Sequence, residues 1–224
     1  MPEYGKVKKR LAAEIGEEAA LKAYESMLNS TIDNVSKLKG VNVYGFFEGE
    51  NIFTLTLIPS RQGQGDINEI SIKGRGYSLL SSPERDRVRE KQFPCEPQQG
   101  YYLGERMYNA IKELFNRGYE KVSLIGADSP DLPLSFIVEA FRRLESYDLV
   151  IGPSEDGGYY LIGVNKAREI LFKNVRWGTD TVLRDTINIA DDAAIRYFLL
   201  PIWYDIDNLD SLNRWKRNHS MLSF

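Results

Sequence analysis

The feature that most constrains this fold is the order of the segments after Leu103. Short apolar runs alternate with amphipathic ones, and the apolar runs lack the polar–apolar alternation of a half-exposed strand. Val122–Gly126, Asp148–Ile151 and Tyr159–Val164 read as strands covered on both faces. Between and around them lie expected helices at Leu103–Arg117, ending at Gly118, at Leu134–Leu144 after Pro133, and at Ala167–Phe172. Another helix opens near Thr179, Ile195–Ile202 reads as a strand, and Leu209–Lys216 closes the chain as a helix. Ahead of this region, apolar residues at three- and four-residue steps from Ala20 to Leu38 predict a helix over Gly16–Leu38. Two β-rich runs follow, Val41–Phe47 and Ile52–Ile58, joined by the turn Glu48-Gly49-Glu50-Asn51. Residues 61–98 are irregular and read as a long loop or small excursion that is more mobile than the rest and lies over one edge of the site. The expected architecture is a single α/β domain over residues 1–224, with a mostly parallel sheet and helices on both faces.

Composition narrows the chemistry. With one cysteine, Cys95, and one histidine, His219, the chain has no internal disulfide and no Cys/His zinc cluster. A net charge of -3 gives no long-range attraction to nucleic acid, and no apolar run is long enough to cross a membrane. A cytoplasmic protein is expected, working through carboxylates, lysines and arginines.

In an open α/β sheet, ligands bind beyond the carboxyl ends of the strands. Asp128 and Asp131 leave such an end in Ile125-Gly126-Ala127-Asp128-Ser129-Pro130-Asp131. Carboxylates there suit a hard divalent cation, Mg or Mn, although a turn cap at Asp128 and a helix start at Asp131 are equally simple readings. Ser154-Glu155-Asp156-Gly157-Gly158 follows the next apolar strand; it offers adjacent carboxylates for a general base and glycines for close approach of a ligand, or else forms a solvated turn. Lys6, Lys8, Lys9 and Arg10 are the one dense basic cluster, able to neutralise a diphosphate or simply to face solvent. Asp205 and Asp207 can complete a metal site, or Asp207 can cap the last helix. Trp177-Gly178-Thr179-Asp180-Thr181 reads first as a helix start capped by Thr179 or Asp180.

Taken in order, Lys6–Ala12, Leu103–Met107, Ile125–Pro133, Gly152–Gly163, Trp177–Thr181 and Tyr204–Asp207 resemble the DUF2064 family of nucleotide-diphospho-sugar transferases. Its members are described as glycosyltransferases associated with radical-SAM enzymes and arsenosugar biosynthesis, distantly similar to phospholactate guanylyltransferases. The resemblance implies a GT-A-type, Rossmann-like fold that binds a nucleotide diphosphate through a divalent metal. It places Asp128 with Asp205 and Asp207 at the metal, Lys8 and Arg10 with Gly157 and Gly158 at the nucleotide and phosphates, and Asp156 with Glu155 at the acceptor. The implied reaction moves a glycosyl group from a nucleotide-sugar to a small-molecule acceptor. The alternatives are nucleotidyl transfer from an NTP to a phosphorylated small molecule, and a non-catalytic nucleotide-binding subunit. Two departures stand out. Tyr102 occupies a position where the family commonly has Asp, and the sequence begins after the apolar strand that precedes the family's basic head, so that either the start lies upstream or the sheet lacks that first strand. A sheet lacking that strand is expected to slide another strand into the gap or to self-associate as a homo-oligomer, and to bind nucleotide weakly.

Overall fold

The structure is a computed structural model, described here over residues 8–48, 51–59 and 95–220. Helices α1 (Lys9–Ile15) and α2 (Glu17–Val35) come first, followed by strands β1 (Val41–Glu48), β2 (Asn51–Pro59) and β3 (Cys95–Pro97). Then come α3 (Leu103–Asn116), β4 (Val122–Gly126), α4 (Leu134–Arg143), β5 (Leu149–Pro153) and β6 (Tyr159–Val164). A 3-10 turn at Glu169–Phe172, α5 (Val182–Asp192), β7 (Tyr197–Leu199) and α6 (Leu209–Ser220) complete the chain.

The seven strands form one open sheet in the order β3-β1-β2-β4-β6-β5-β7. β1, β3, β4, β5 and β7 run in one direction, while β2 and β6 run against them. The prevailing direction is the expected one, and the two reversed strands make four of the neighbouring pairs antiparallel. Chain length explains the reversals. β5 ends at Pro153 and β6 begins at Tyr159, too short a link for the crossover of a dozen or more residues that parallel neighbours need. The β1–β2 link is shorter still.

β2 lies between β1 and β4, so no gap interrupts the described sheet. Leu55, Thr56, Leu57 and Ile58 of β2 are fully buried, as befits an interior strand covered on both faces. One core, built on α2, α4 and α6, includes Met27, Ile137 and Leu212 with Leu55 and Leu57; the opposite core, built on α3 and α5, includes Ile111, Leu114 and Ala190 with Ile58. Helices therefore cover both faces, as the unbroken apolar strands require.

Several boundaries differ from expectation. The first helical region begins earlier and is divided at Gly16, whose φ of 84° ends α1 before α2 starts. The last strand is only Tyr197–Leu199, because Pro201 supplies no backbone donor to extend the ladder. α5 begins at Val182 with Thr181 at its N-terminal boundary; Thr179 does not cap it, since its hydroxyl instead donates to the Arg176 carbonyl at 2.7 Å. Lys6 and nearly all of the segment 61–98 lie outside the described residues, apart from β3 and its flank. Among the described residues no helix is long and apolar enough to cross a membrane.

Candidate functional site

β4, β5 and β7 share a direction, so the loops that leave them emerge along one sheet edge. Asp128 follows β4, Ser154–Asp156 follow β5, and Asp205 and Asp207 follow β7. Backbone hydrogen bonds lock these loops together. Ile206 N–H donates to the Asp128 carbonyl at 2.9 Å, and Glu155 N–H donates to the Trp203 carbonyl at 3.0 Å. Ser154 and Trp203 also form a parallel bridge. The acidic residues are thus held by main-chain geometry as well as by their own contacts.

The basic head arrives from the opposite end of the chain. Lys8 stands just before α1 with φ 48° and ψ 53°, a left-handed conformation costing a lysine about 1–2 kcal/mol. Its side chain is 7% exposed, and its ammonium lies 3.1 Å from Asp128 Oδ2 and 3.6 Å from Asp207 Oδ1. Arg10 Nη1 donates to Asp207 Oδ2 at 3.1 Å. Glu14, one turn further along α1, accepts the Leu209 N–H at 3.0 Å and so ties α1 to the start of α6. Asn208, not Asp207, caps α6: its Oδ1 accepts the Ser211 N–H at 2.9 Å. Asp207 is thereby left for the basic head.

Asp205 has a different setting. It accepts the Ser154 hydroxyl at 3.0 Å, and its carboxyl is pushed above the usual carboxylate range. Burial is the main cause and the neighbouring Asp156 charge the second. Asp156 closes its own turn: one of its oxygens accepts the Gly158 N–H at 2.9 Å. Glu155 points elsewhere, pairing with Arg214 of α6 at 3.1 Å on the exposed surface.

Gly157 is required by packing. Its φ is 87°, and a Cβ there would collide with the Asp180 carbonyl oxygen of the Trp177–Thr181 loop. Leu183 N–H donates to the Gly157 carbonyl at 2.9 Å. The loop is pinned in turn by Asp185, which receives Arg176 through Nε at 2.9 Å and Nη2 at 2.6 Å. The segment expected only to start a helix therefore buttresses the Asp156–Gly158 turn.

Asp131 is neither helix start nor partner of Asp128. It accepts the Tyr204 hydroxyl and, at 3.4 Å, the Trp203 indole N–H, and Arg214 lies 3.9 Å over the Tyr204 ring. These contacts brace the segment that carries Asp205 and Asp207. Ser154, Tyr24 and Asn208 were not legible from spacing. Tyr24 is buried, its hydroxyl pKa raised by burial and then by the Asp128 charge. Its place in the apolar stripe of α2 gave a core signal and no other.

Among the described residues no group of three or more His, Cys, Asp or Glu side chains is gathered as a metal cage. The donor chemistry still fits a hard cation: Asp128 and Asp207 offer carboxylate oxygens within reach of one shared positive charge, now the Lys8 ammonium. Both carboxylates are partly open, with side-chain exposures of 43% and 33%.

A family model described as uncharacterized protein conserved in bacteria (DUF2064) matches residues 76–179. A crystal structure from Desulfovibrio desulfuricans G20, of a protein provisionally assigned as a nucleotide-diphospho-sugar transferase, is similar at 31% sequence identity and a TM-score of 0.74. The likeness covers 100% of this chain and 85% of that one. No protein of curated description matches the chain.

Proposed function

The chain belongs to the DUF2064 family, and from that premise we propose that it transfers a glycosyl group from a nucleotide-diphospho-sugar to a small-molecule acceptor. The observation that carries this reading is the meeting of Lys8 and Arg10 with Asp128 and Asp207 at the carboxyl edge of the sheet. Cations and carboxylates in that position suit a diphosphate that must leave with its charge neutralised. Lys8 and Arg10 would bind diphosphate oxygens, Arg10 through the planar fork that matches phosphate geometry. Asp128 and Asp207 would hold a divalent cation, Mg or Mn, which when bound offsets charge developing on the leaving diphosphate.

Asp156 would orient the acceptor hydroxyl and take its proton, from the turn that follows β5 at the carboxyl edge of the sheet. Asp205, half-buried and held by the Ser154 hydroxyl, would shape the pocket more than it would bind a cation. Gly157 and Gly158 would keep the turn flat enough for a substrate to pass over its backbone. Glu155 would anchor the loop through Arg214. What favours glycosyl over nucleotidyl transfer is the likeness to the Desulfovibrio protein.

A thermal-shift screen of nucleoside diphosphates, nucleoside triphosphates and nucleotide-sugars, each with and without Mn, tests the reading. Stabilisation by a nucleotide-sugar that grows with Mn is the expected result. Stabilisation by triphosphates alone would replace it with nucleotidyl transfer, and no stabilisation by any of them would overturn it.

A further inference from the structure

Lys8 is the most constrained charged side chain in the site. Its side chain is nearly excluded from solvent, its ammonium is shared between Asp128 and Asp207, and it leaves a left-handed backbone that a lysine rarely adopts. Arg10 holds the second oxygen of Asp207. Both carboxylates are thus already neutralised from within the chain. A divalent ion entering between them would meet the ammonium at close range, where like charges repel. A diphosphate reverses the balance. Its anionic oxygens compete with the carboxylates for the ammonium and the guanidinium, and drawing Lys8 away leaves two carboxylates without a counter-charge, an arrangement that seeks a cation.

We infer that Lys8 is an exchangeable counter-ion that keeps the cation position closed to divalent metal until a diphosphate draws its ammonium away. Metal and diphosphate then bind with positive coupling, and metal alone binds weakly. This rests on the reading above, that Asp128 and Asp207 hold the cation, and assigns Lys8 a second task beyond contacting phosphate.

The test is a titration of the full chain with Mn, following the electron paramagnetic resonance signal of free Mn. It is done with and without inorganic pyrophosphate, against a protein-free Mn–pyrophosphate titration. For the native chain, pyrophosphate is expected to tighten Mn binding by roughly tenfold or more, within the usual range of coupling between sites. Lys8→Met is expected to bind Mn alone roughly tenfold more tightly than the native chain and to lose most of that coupling. Lys8→Gly, which also relieves the left-handed backbone, is expected to behave in the same way and serves if the methionine variant melts early. If neither variant binds Mn alone more tightly while the native chain binds it with pyrophosphate, the counter-ion role is overturned and the cation reading stands. If no protein binds Mn with or without pyrophosphate, both fall.

Discussion

Asp128 and Asp156 leave the ends of two parallel strands, β4 and β5, with different partners, and amide substitutions separate their tasks. Asp128→Asn keeps the volume and removes the charge facing Lys8. We expect a loss of Mn-dependent nucleotide affinity of about tenfold or more, on the order of 1.4 kcal/mol, read by calorimetry on a protein whose melting temperature is unchanged. Equal affinity would remove Asp128 from the site. Asp156→Asn leaves an oxygen for the Gly158 N–H and loses the base. Turnover should fall by about 10²–10⁴-fold, the usual share of general base catalysis, with nucleotide affinity retained; native turnover would retire Asp156. Both residues were legible because each follows an apolar strand. The partnership of Arg10 with Asp207 was not, since 197 positions separate them and only the fold brings them together. Nor was the turning away of Glu155, because adjacent carboxylates look alike until α6 supplies Arg214.

At the scale of elements, the Trp177–Thr181 loop decides how the Asp156–Gly158 turn is held. Gly157→Ala places a Cβ against the Asp180 carbonyl and strains a positive φ. A destabilisation of about 1–3 kcal/mol is expected, with acceptor-side turnover lost before nucleotide binding; a melting curve like the native one would show that the turn tolerates a side chain. Asp185 holds the loop's other end, and the Arg176 hydrogen bonds keep its carboxyl well below the usual carboxylate range. A carboxyl with a depressed pKa stabilises the fold above the ordinary value near 4 and loses that contribution as pH falls through the lowered one. Asp185→Asn should therefore melt lower than the native chain at neutral pH, with the gap narrowing as the pH falls below the ordinary carboxyl value near 4. A gap that stays constant across that range would mean that the charge on Asp185 does not matter. The helices and strands themselves were largely legible, since apolar runs and three- and four-residue steps mark them. The direction of β6 was also available in principle, because a link of so few residues cannot cross over a sheet.

For the whole molecule, β2 is the element on which the sheet depends. It joins β1 to β4, the strand that carries Asp128, and its leucines enter the core beneath α2. Leu57→Ala should cost about 2–5 kcal/mol and weaken nucleotide binding through loss of fold. Amide hydrogen exchange in β2 should be as slow as in β4, and fast exchange there would show that the strand is peripheral. The sequence marked β2 as one arm of a hairpin but not its place beside β4, because strand order arises from packing across the whole sheet. The site, in turn, exists only when both ends of the chain meet over that sheet. Cleavage of the bond between sugar and diphosphate is read by phosphorus NMR of the full chain incubated with nucleotide-sugars and Mn. Release of nucleoside diphosphate is expected, slow with water as acceptor and abolished by Asp128→Asn. Intact nucleotide-sugars, with pyrophosphate released from a nucleoside triphosphate instead, would contradict it.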